Sequence, residues 1–168
     1  MPIRAPRTRA ACLAVLLLLV ALPGAARPAD DAPAADRAIL TVADFDLAAH
    51  AGKVVLVDFW ASWCKPCQVS LPWLSRLAAA HPDDLVILAV NLDRELPAAR
   101  RLLADLDPHV LVVHDPKGEL AGRYDLAGMP TSYLYDRAGA LQATHVGFLP
   151  AEADAREAEI TALLGAEE

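Results

Sequence analysis

Hydrophobic residues from position 39 onward alternate between continuous apolar runs, which are typical of buried strands, and helically spaced positions. The longest runs are LVILAVNL and VVLVDF, and Asp58 interrupts the second. The predicted strands are residues 54–59, 85–92, 110–113, 132–135 and 141–146, of which the last two form a hairpin. The predicted helices are residues 67–80, 96–106, 117–124 and 153–164. This alternation predicts an α/β fold with a mixed central sheet flanked by helices.

The first predicted helix combines an apolar face with an internal proline. Its apolar face is expected to consist of Val69, Leu74, Leu77 and Ala78. Pro72 lies inside the helix, where it removes a backbone hydrogen bond and is expected to bend the helix axis.

The first 26 residues have the pattern of a secretory signal peptide. Arg4, Arg7 and Arg9 precede an apolar run over residues 10–22, and Gly24 and Ala26 are small residues suited to cleavage after Ala26. A retained membrane anchor is the alternative. A helix of that length reaches only about 20 Å, short of the roughly 30 Å hydrocarbon core, so cleavage is favoured.

The segment that follows the signal peptide is predicted to be a linker. Residues 27–38 mix Ala, Pro and Asp without a large apolar residue, which favours a flexible acidic linker before a single domain at residues 39–168. Cys12 opens the apolar run instead of following it as a lipoprotein cysteine would, so we interpret it as an apolar signal residue. The protein is therefore predicted to be periplasmic or otherwise extracytoplasmic, with a membrane tether as an alternative.

Charge and composition exclude some classes of function. The 168-residue chain has a formal net charge of -7, which disfavours binding to nucleic-acid phosphates. Aromatic residues make up 5% of the chain, too few for a base-stacking surface. Loss of Cys12 with the signal peptide would leave two cysteines, Cys64 and Cys67, too few for a disulfide-stapled miniprotein.

These two cysteines form a Cys-x-x-Cys motif that follows a predicted buried strand and opens a predicted helix. The free N–H groups of a helix N-terminus stabilise a thiolate, and the positive charge of Lys65 is expected to lower the pKa of Cys64 further. Pro66 fixes φ in the first turn. We expect Cys64 to be exposed and Cys67 to lie one turn further on, against the core.

Two other interpretations of the cysteine pair were weighed. Half of a zinc site would need two further ligands, but there is no second Cys-x-x-Cys and the histidines are scattered singly. An inert structural disulfide is common in secreted proteins. A redox-active pair is favoured because of the residues that flank it.

The stretch VVLVDFWASWCKPC resembles the active-site segment of the thioredoxin superfamily. The matching residues are Asp58, Phe59, Trp60, Ala61, Trp63, Cys64, Cys67 and Pro72. The sequence GMPT at residues 128–131 resembles the cis-proline loop that faces the disulfide in that fold, and Gly147 matches a glycine that packs nearby. The resemblance covers about residues 39–164 and implies a thioredoxin-like fold.

Within the superfamily, the chain looks most like exported reductases of the TlpA and ResA type. It has a signal segment, and Gly52-Lys53 leads directly into the first core strand. The separation between Asp93 and Pro130 is larger than in plain thioredoxin, so residues 96–113 are expected to form the helix–strand insert of this subgroup.

Asp58 departs from this subgroup, whose members often carry asparagine there. Thioredoxin also places a lysine of the next strand near this aspartate, whereas the corresponding residue here is Ala89. We therefore expect Asp58 to be buried and unpaired, with a raised pKa. The alternative is an ordinary core carboxyl group that is satisfied by backbone groups or water.

The resemblance implies thiol–disulfide exchange, in which Cys64 attacks a substrate disulfide and Cys67 resolves the mixed disulfide while Asp58 accepts its proton through water. The residues expected to shape the site or bind substrate are Trp63, Lys65, Pro66, Met129, Pro130 and Thr131.

The middle pair Lys-Pro resembles reductases more than strong oxidants, so a disulfide reductase is predicted. The resemblance implies that apocytochrome c or a copper-site cysteine pair is reduced, and that a membrane thiol carrier supplies the electrons. No bound cofactor or metal is expected, and a monomer is predicted. The alternatives are an extracytoplasmic disulfide oxidase and a Cu(I) metallochaperone that uses the same two cysteines.

Overall fold

The computed structural model describes Met1 and residues 37–166. The predicted signal peptide after Met1 and most of the predicted linker lie outside the described residues. A six-stranded mixed sheet forms the centre of the domain. In chain order its strands are β1 (Ile39–Thr41), β2 (Val54–Trp60), β3 (Leu85–Asn91), β4 (Val110–His114), β5 (Thr131–Tyr135) and β6 (Leu141–Val146).

The order of strands across the sheet is β1-β4-β3-β2-β5-β6. The first four strands in that order run parallel to one another, whereas β5 and β6 are antiparallel to their neighbours. The helices are α1 (Lys65–Ala80), α2 (Leu96–Leu103), α3 (Glu119–Arg123) and α4 (Ala153–Leu164). The predicted α/β fold with a mixed sheet is confirmed, and α2 with β4 forms the predicted helix–strand insert.

The sheet is buried on both faces because its central strands are apolar at nearly every position. All seven residues of β2 and all seven of β3 are buried. Alternate residues of β2 point to opposite faces, so Leu56 and Trp60 belong to the core beneath α1, whereas Val57 and Phe59 belong to a second core on the other face. By the same alternation, Asp58 lies on the α1 face of the sheet.

The boundaries of several elements differ from the predicted ones. Helix α1 begins at Lys65 instead of residue 67, because Cys64 is the N-cap and Pro66 occupies the first turn, where its missing N–H costs nothing. The helix continues through Pro72. The assignment of Val69 to the apolar face is wrong: its side chain is 50% exposed. Strand β1 has only three residues, too few to give a periodic pattern.

A residue just before the predicted domain contacts it. The Arg37 guanidinium donates hydrogen bonds to the carbonyl oxygens of Leu106, Asp107 and Val110 at 2.5, 2.8 and 3.2 Å. Arg37, within the predicted linker of residues 27–38, therefore contacts the segment between α2 and β4 and the first residue of β4. Among the residues that the structure describes, no helix is both long and apolar enough to span a membrane.

Candidate active site

The two cysteines form a disulfide at the start of α1. The sulfur atoms are 2.03 Å apart and the Cα atoms 5.2 Å apart. The Cys67 N–H donates to the Sγ of Cys64 at 3.3 Å, so this sulfur serves as the side-chain cap of the helix. Cys67 is fully buried, as predicted. Cys64 was expected to be exposed, but its side chain is also buried, with 6% of its surface accessible. The neighbours Trp63, 66% exposed, Lys65 and Pro66 are accessible instead.

The loop that leads into the disulfide is held by the carboxylate of Asp93, just beyond the end of β3. Ser62 donates its N–H to Oδ2 of Asp93 at 2.8 Å and its hydroxyl to Oδ1 at 2.7 Å. The side-chain amide of Asn91 donates to the same Oδ2 at 2.7 Å, and Gln68 of α1 donates to the carbonyl of Ser62 at 2.6 Å. In the sequence, Asp93 marks only a spacing. Its contact with Ser62 arises because the ends of two parallel strands meet at one edge of the sheet, which no local pattern reveals.

The predicted cis-proline loop is confirmed. The Met129–Pro130 peptide bond is cis, and Pro130 immediately precedes β5. Because Thr131 lies opposite Phe59 in the register of β5 and β2, the loop is at the same end of the sheet as the disulfide. Met129 is half-buried against the core that contains both cysteines. Thr131 is buried, and its hydroxyl donates to the carbonyl of Gly128 at 2.8 Å.

Asp58 lies on the face of β2 that bears the cysteine core, and its partner is a residue that sequence reasoning missed. The strand register places Ser132 opposite Asp58, and the Ser132 hydroxyl donates to Oδ1 at 2.5 Å. The prediction that Asp58 is unpaired is therefore wrong for one oxygen, although Oδ2 has no hydrogen-bond partner among the described residues. Ala89 is the neighbour on β3, as the missing lysine implied. Burial raises the pKa of Asp58 to about 7, while Ser132 and the positive charge of Arg156 oppose the rise.

Arg156 of α4 is the second residue that the sequence analysis missed. Its side chain is buried, donates to the carbonyl of Gly147 at 3.0 Å and pairs with Glu152 at 2.7 Å. Its guanidinium carbon lies 5.4 Å from the ring centroid of Phe148. The N–H of Gly147, which has φ of 78°, donates to the carbonyl of Pro130 at 2.7 Å. A helix pattern alone does not reveal that an arginine faces the core.

Metal binding was among the alternatives for the cysteine pair. Within the part of the chain that the structure describes, no three His, Cys, Asp or Glu side chains come together as a metal site. The arrangement present is a single disulfide that caps a helix, a nearby cis-proline loop and a buried carboxyl group. These features define a thioredoxin-like thiol–disulfide oxidoreductase.

Comparison with known proteins agrees with this class. The pattern of the Redoxin family matches residues 27–164, and the chain belongs to that family. It is 32% identical to sporulation thiol-disulfide oxidoreductase A of Bacillus subtilis over 82% of this chain and 88% of that protein. It is 34% identical to thiol-disulfide oxidoreductase ResA of Oceanobacillus iheyensis over 54% of this chain and 48% of that protein.

A solved structure from Chlorobium tepidum, described as a thiol:disulfide interchange protein DsbE, superposes with a TM-score of 0.66. It is 43% identical in sequence, and the match covers 71% of this chain and 85% of the other. Against several curated relatives, the chain spans only about half to three fifths of their length. The predicted resemblance to thioredoxin-like thiol–disulfide oxidoreductases of the ResA type is confirmed at the level of family and fold.

Proposed function

We propose that this protein is an exported disulfide reductase that works by dithiol exchange through Cys64 and Cys67. The observation that carries the proposal is the contact between the Cys64 sulfur and the Cys67 N–H at the first turn of α1. When the disulfide is opened, the same N–H and the helix dipole stabilise a thiolate on Cys64. The exposed Lys65 adds a positive charge beside it.

The proposed cycle starts from the dithiol form. The Cys64 thiolate attacks one sulfur of a substrate disulfide, a mixed disulfide forms, and the other substrate sulfur leaves as a thiolate that takes up a proton. Cys67 loses its proton and attacks the Cys64 sulfur, which releases the second substrate sulfur. Two electrons have then passed to the substrate, and a dithiol donor must reduce the Cys64–Cys67 disulfide before the next cycle.

Asp58 is the proposed base for Cys67. Both residues lie in the core between β2 and α1, and a carboxyl group with a pKa near 7 can accept and return a proton at neutral pH. The transfer would pass through a bridging water, because among the described residues Oδ1 of Asp58 is bound by Ser132 and Oδ2 has no partner. Ser132 holds the carboxyl group through Oδ1.

The substrate would bind beside the disulfide as an extended chain. The exposed Trp63, Lys65 and Pro66 lie on one side, and the backbone of Met129 is available to pair with a substrate strand on the other. Pro130 would border this substrate-binding site. We assign Thr131 the role of fixing the loop and not of contacting substrate, because its hydroxyl is already bound to Gly128.

The direction of transfer, the partners and the location complete the proposal. The Lys-Pro pair between the cysteines supports a reductase, working after cleavage of residues 1–26 in an extracytoplasmic compartment. The proposed substrates are disulfides of apocytochrome c or of a copper-site cysteine pair, and the proposed donor is a membrane thiol carrier. The protein is proposed to act as a monomer without a bound cofactor.

The test combines a potential with a trapping experiment. We expect the Cys64–Cys67 couple to have a reduction potential near about -270 mV, whereas a value near about -120 mV would make the protein an oxidase. The variant C67S should retain a substrate as a mixed disulfide on Cys64, detectable by mass spectrometry, and the matched variant C64S should retain none. Tight Cu(I) binding without any exchange would favour the metallochaperone and overturn the proposal.

A further inference from the structure

Arg156, the buried arginine of helix α4, lies beside the redox site but takes part in none of the proposed chemical steps. An arginine is rarely buried without a specific partner, and Arg156, which is only 7% exposed, has Gly147 and Glu152 as partners. Helix α4 packs on β2, the strand that carries Asp58. The guanidinium also lies over Phe148, whose ring packs at a 40° tilt against Trp73 of α1, with the ring centroids 5.3 Å apart. One side chain thus touches the surroundings of both Asp58 and the redox helix.

Two connections lead from Arg156 to the reacting groups. The first is a chain of hydrogen bonds: Arg156 donates to the carbonyl of Gly147 at 3.0 Å, and the Gly147 N–H donates to the carbonyl of Pro130 at 2.7 Å. The second is electrostatic, because the positive charge of Arg156 acts on the Asp58 carboxyl group and opposes the rise of its pKa. The neighbour of Asp58 on β3 is Ala89, whose side chain carries no charge.

We propose that Arg156 is a positioning residue of the redox site, which fixes the cis-proline loop through Gly147 and supplies the buried positive charge that acts on Asp58. The inference rests on the proposed function for its kinetic part only. Two different nitrogens of its planar guanidinium donate, one to Gly147 and the other to Glu152, and the single nitrogen of a lysine cannot reproduce this fixed fork.

Other groups around Asp58 must be held constant for the test to be clear. Ser132 on β5 donates to the carboxyl group, and Ala89 on β3 carries no charge. His145 on β6 lies opposite Ser132 in the register and pairs with Glu159 of α4 at 2.8 Å. Cys67 on α1 is held in the disulfide in the oxidised protein. The titration is therefore measured on the oxidised form, with each of these residues left intact.

The experiment compares R156Q and R156K with R101Q, which removes the same charge from an exposed position on α2. The titration of the Asp58 carboxyl group is followed by carbon-13 NMR, and kcat and KM are measured for reduction of insulin with excess dithiothreitol. In R156Q, the midpoint for Asp58 should move upward by about half a pH unit or more. In R156K the midpoint should stay near that of the parent, because the charge is retained.

The kinetic expectation separates the loop contact from the charge. Both Arg156 variants weaken the hold on Gly147, so KM should rise by about 3- to 10-fold, as for the loss of one net hydrogen bond, while R101Q leaves KM unchanged. If R156Q does not fold, the KM of R156K still tests the loop contact. An Asp58 midpoint in folded R156Q equal to that in R101Q would overturn the assigned charge. An unchanged KM in both variants would overturn the loop contact. A parent protein whose Cys64–Cys67 couple has the potential of an oxidase would refute the proposed function, and the titration would still test Arg156.

Discussion

Replacing Asp58 with asparagine should stabilise the protein, and by an amount that depends on pH. The carboxyl group is fully buried, and its pKa is raised from 3.8 to about 7 by burial, against the opposing effects of Ser132 and Arg156. A folded state that holds a proton more tightly than the unfolded chain is favoured when that proton is present. The stability that the Asp58 carboxyl group contributes to the folded state is fully present below pH 3.8 and is lost as the pH rises through about 7.

The magnitude follows from the two pKa values. Their separation is about three units, and each unit corresponds to about 1.4 kcal/mol, so ionised Asp58 costs the folded state about 4 kcal/mol at pH 8. Asparagine has nearly the same shape and keeps an oxygen that can accept from Ser132, but it cannot ionise. D58N should therefore be more stable than the parent by about 4 kcal/mol at pH 8 and by little at pH 4.

The assay is guanidinium chloride unfolding of the oxidised protein at several values between pH 4 and pH 8. The exposed Asp83, changed to asparagine, is the matched control, and D83N should follow the parent at every pH. If the free energy of unfolding of D58N runs parallel to that of the parent over this range, Asp58 does not change its charge on folding. The link between its burial and its raised pKa would then be refuted.

Two further predictions concern the groups that hold the site. S132A removes the hydrogen bond to Asp58 and should raise the pKa of that carboxyl group above the parent value, which a carbon-13 NMR titration would detect. The control is T144A on the neighbouring strand. Equal Asp58 midpoints in S132A and T144A would contradict the assigned role of Ser132. D93A leaves the Ser62 N–H and the Asn91 amide without an acceptor, so unfolding should require about 2–3 kcal/mol less. An unchanged free energy of unfolding in D93A would mean that the loop is held by other contacts.

The sequence was sufficient for the parts of this protein that depend on local patterns. The runs over β2 and β3, the cysteine pair at a helix start and the loop before β5 were all predicted because each has a continuous or distinctive sequence. The register between β2 and β5 could not be predicted, since the pairing partner of Asp58 depends on which residues of two distant segments lie opposite one another. Ser132 was therefore missed.

Arg156 and Asp93 were missed for a related reason. Arg156 lies in a helix whose apolar residues are mostly alanine, and only the packing of α4 on β2 shows that it faces inward. Asp93 stands beyond the end of β3, and its contact with Ser62 arises because the ends of two parallel strands meet at the same edge. The misassigned exposure of Val69 has the same origin, because helical spacing does not indicate where the neighbouring elements stop.

The anchoring of the redox loop by Asp93 has a consequence for how such a protein can evolve. The inserted helix α2 begins at Leu96, just after this anchor, and the insert returns to the sheet as β4. The loop before the disulfide is thus held by the carboxylate at the end of β3, and Nε2 of His114, the last residue of β4, lies 2.8 Å from the carbonyl oxygen of the same Asp93. The outer surface of α2 can therefore change its sequence while the loop before the reacting sulfurs keeps its anchor at Asp93.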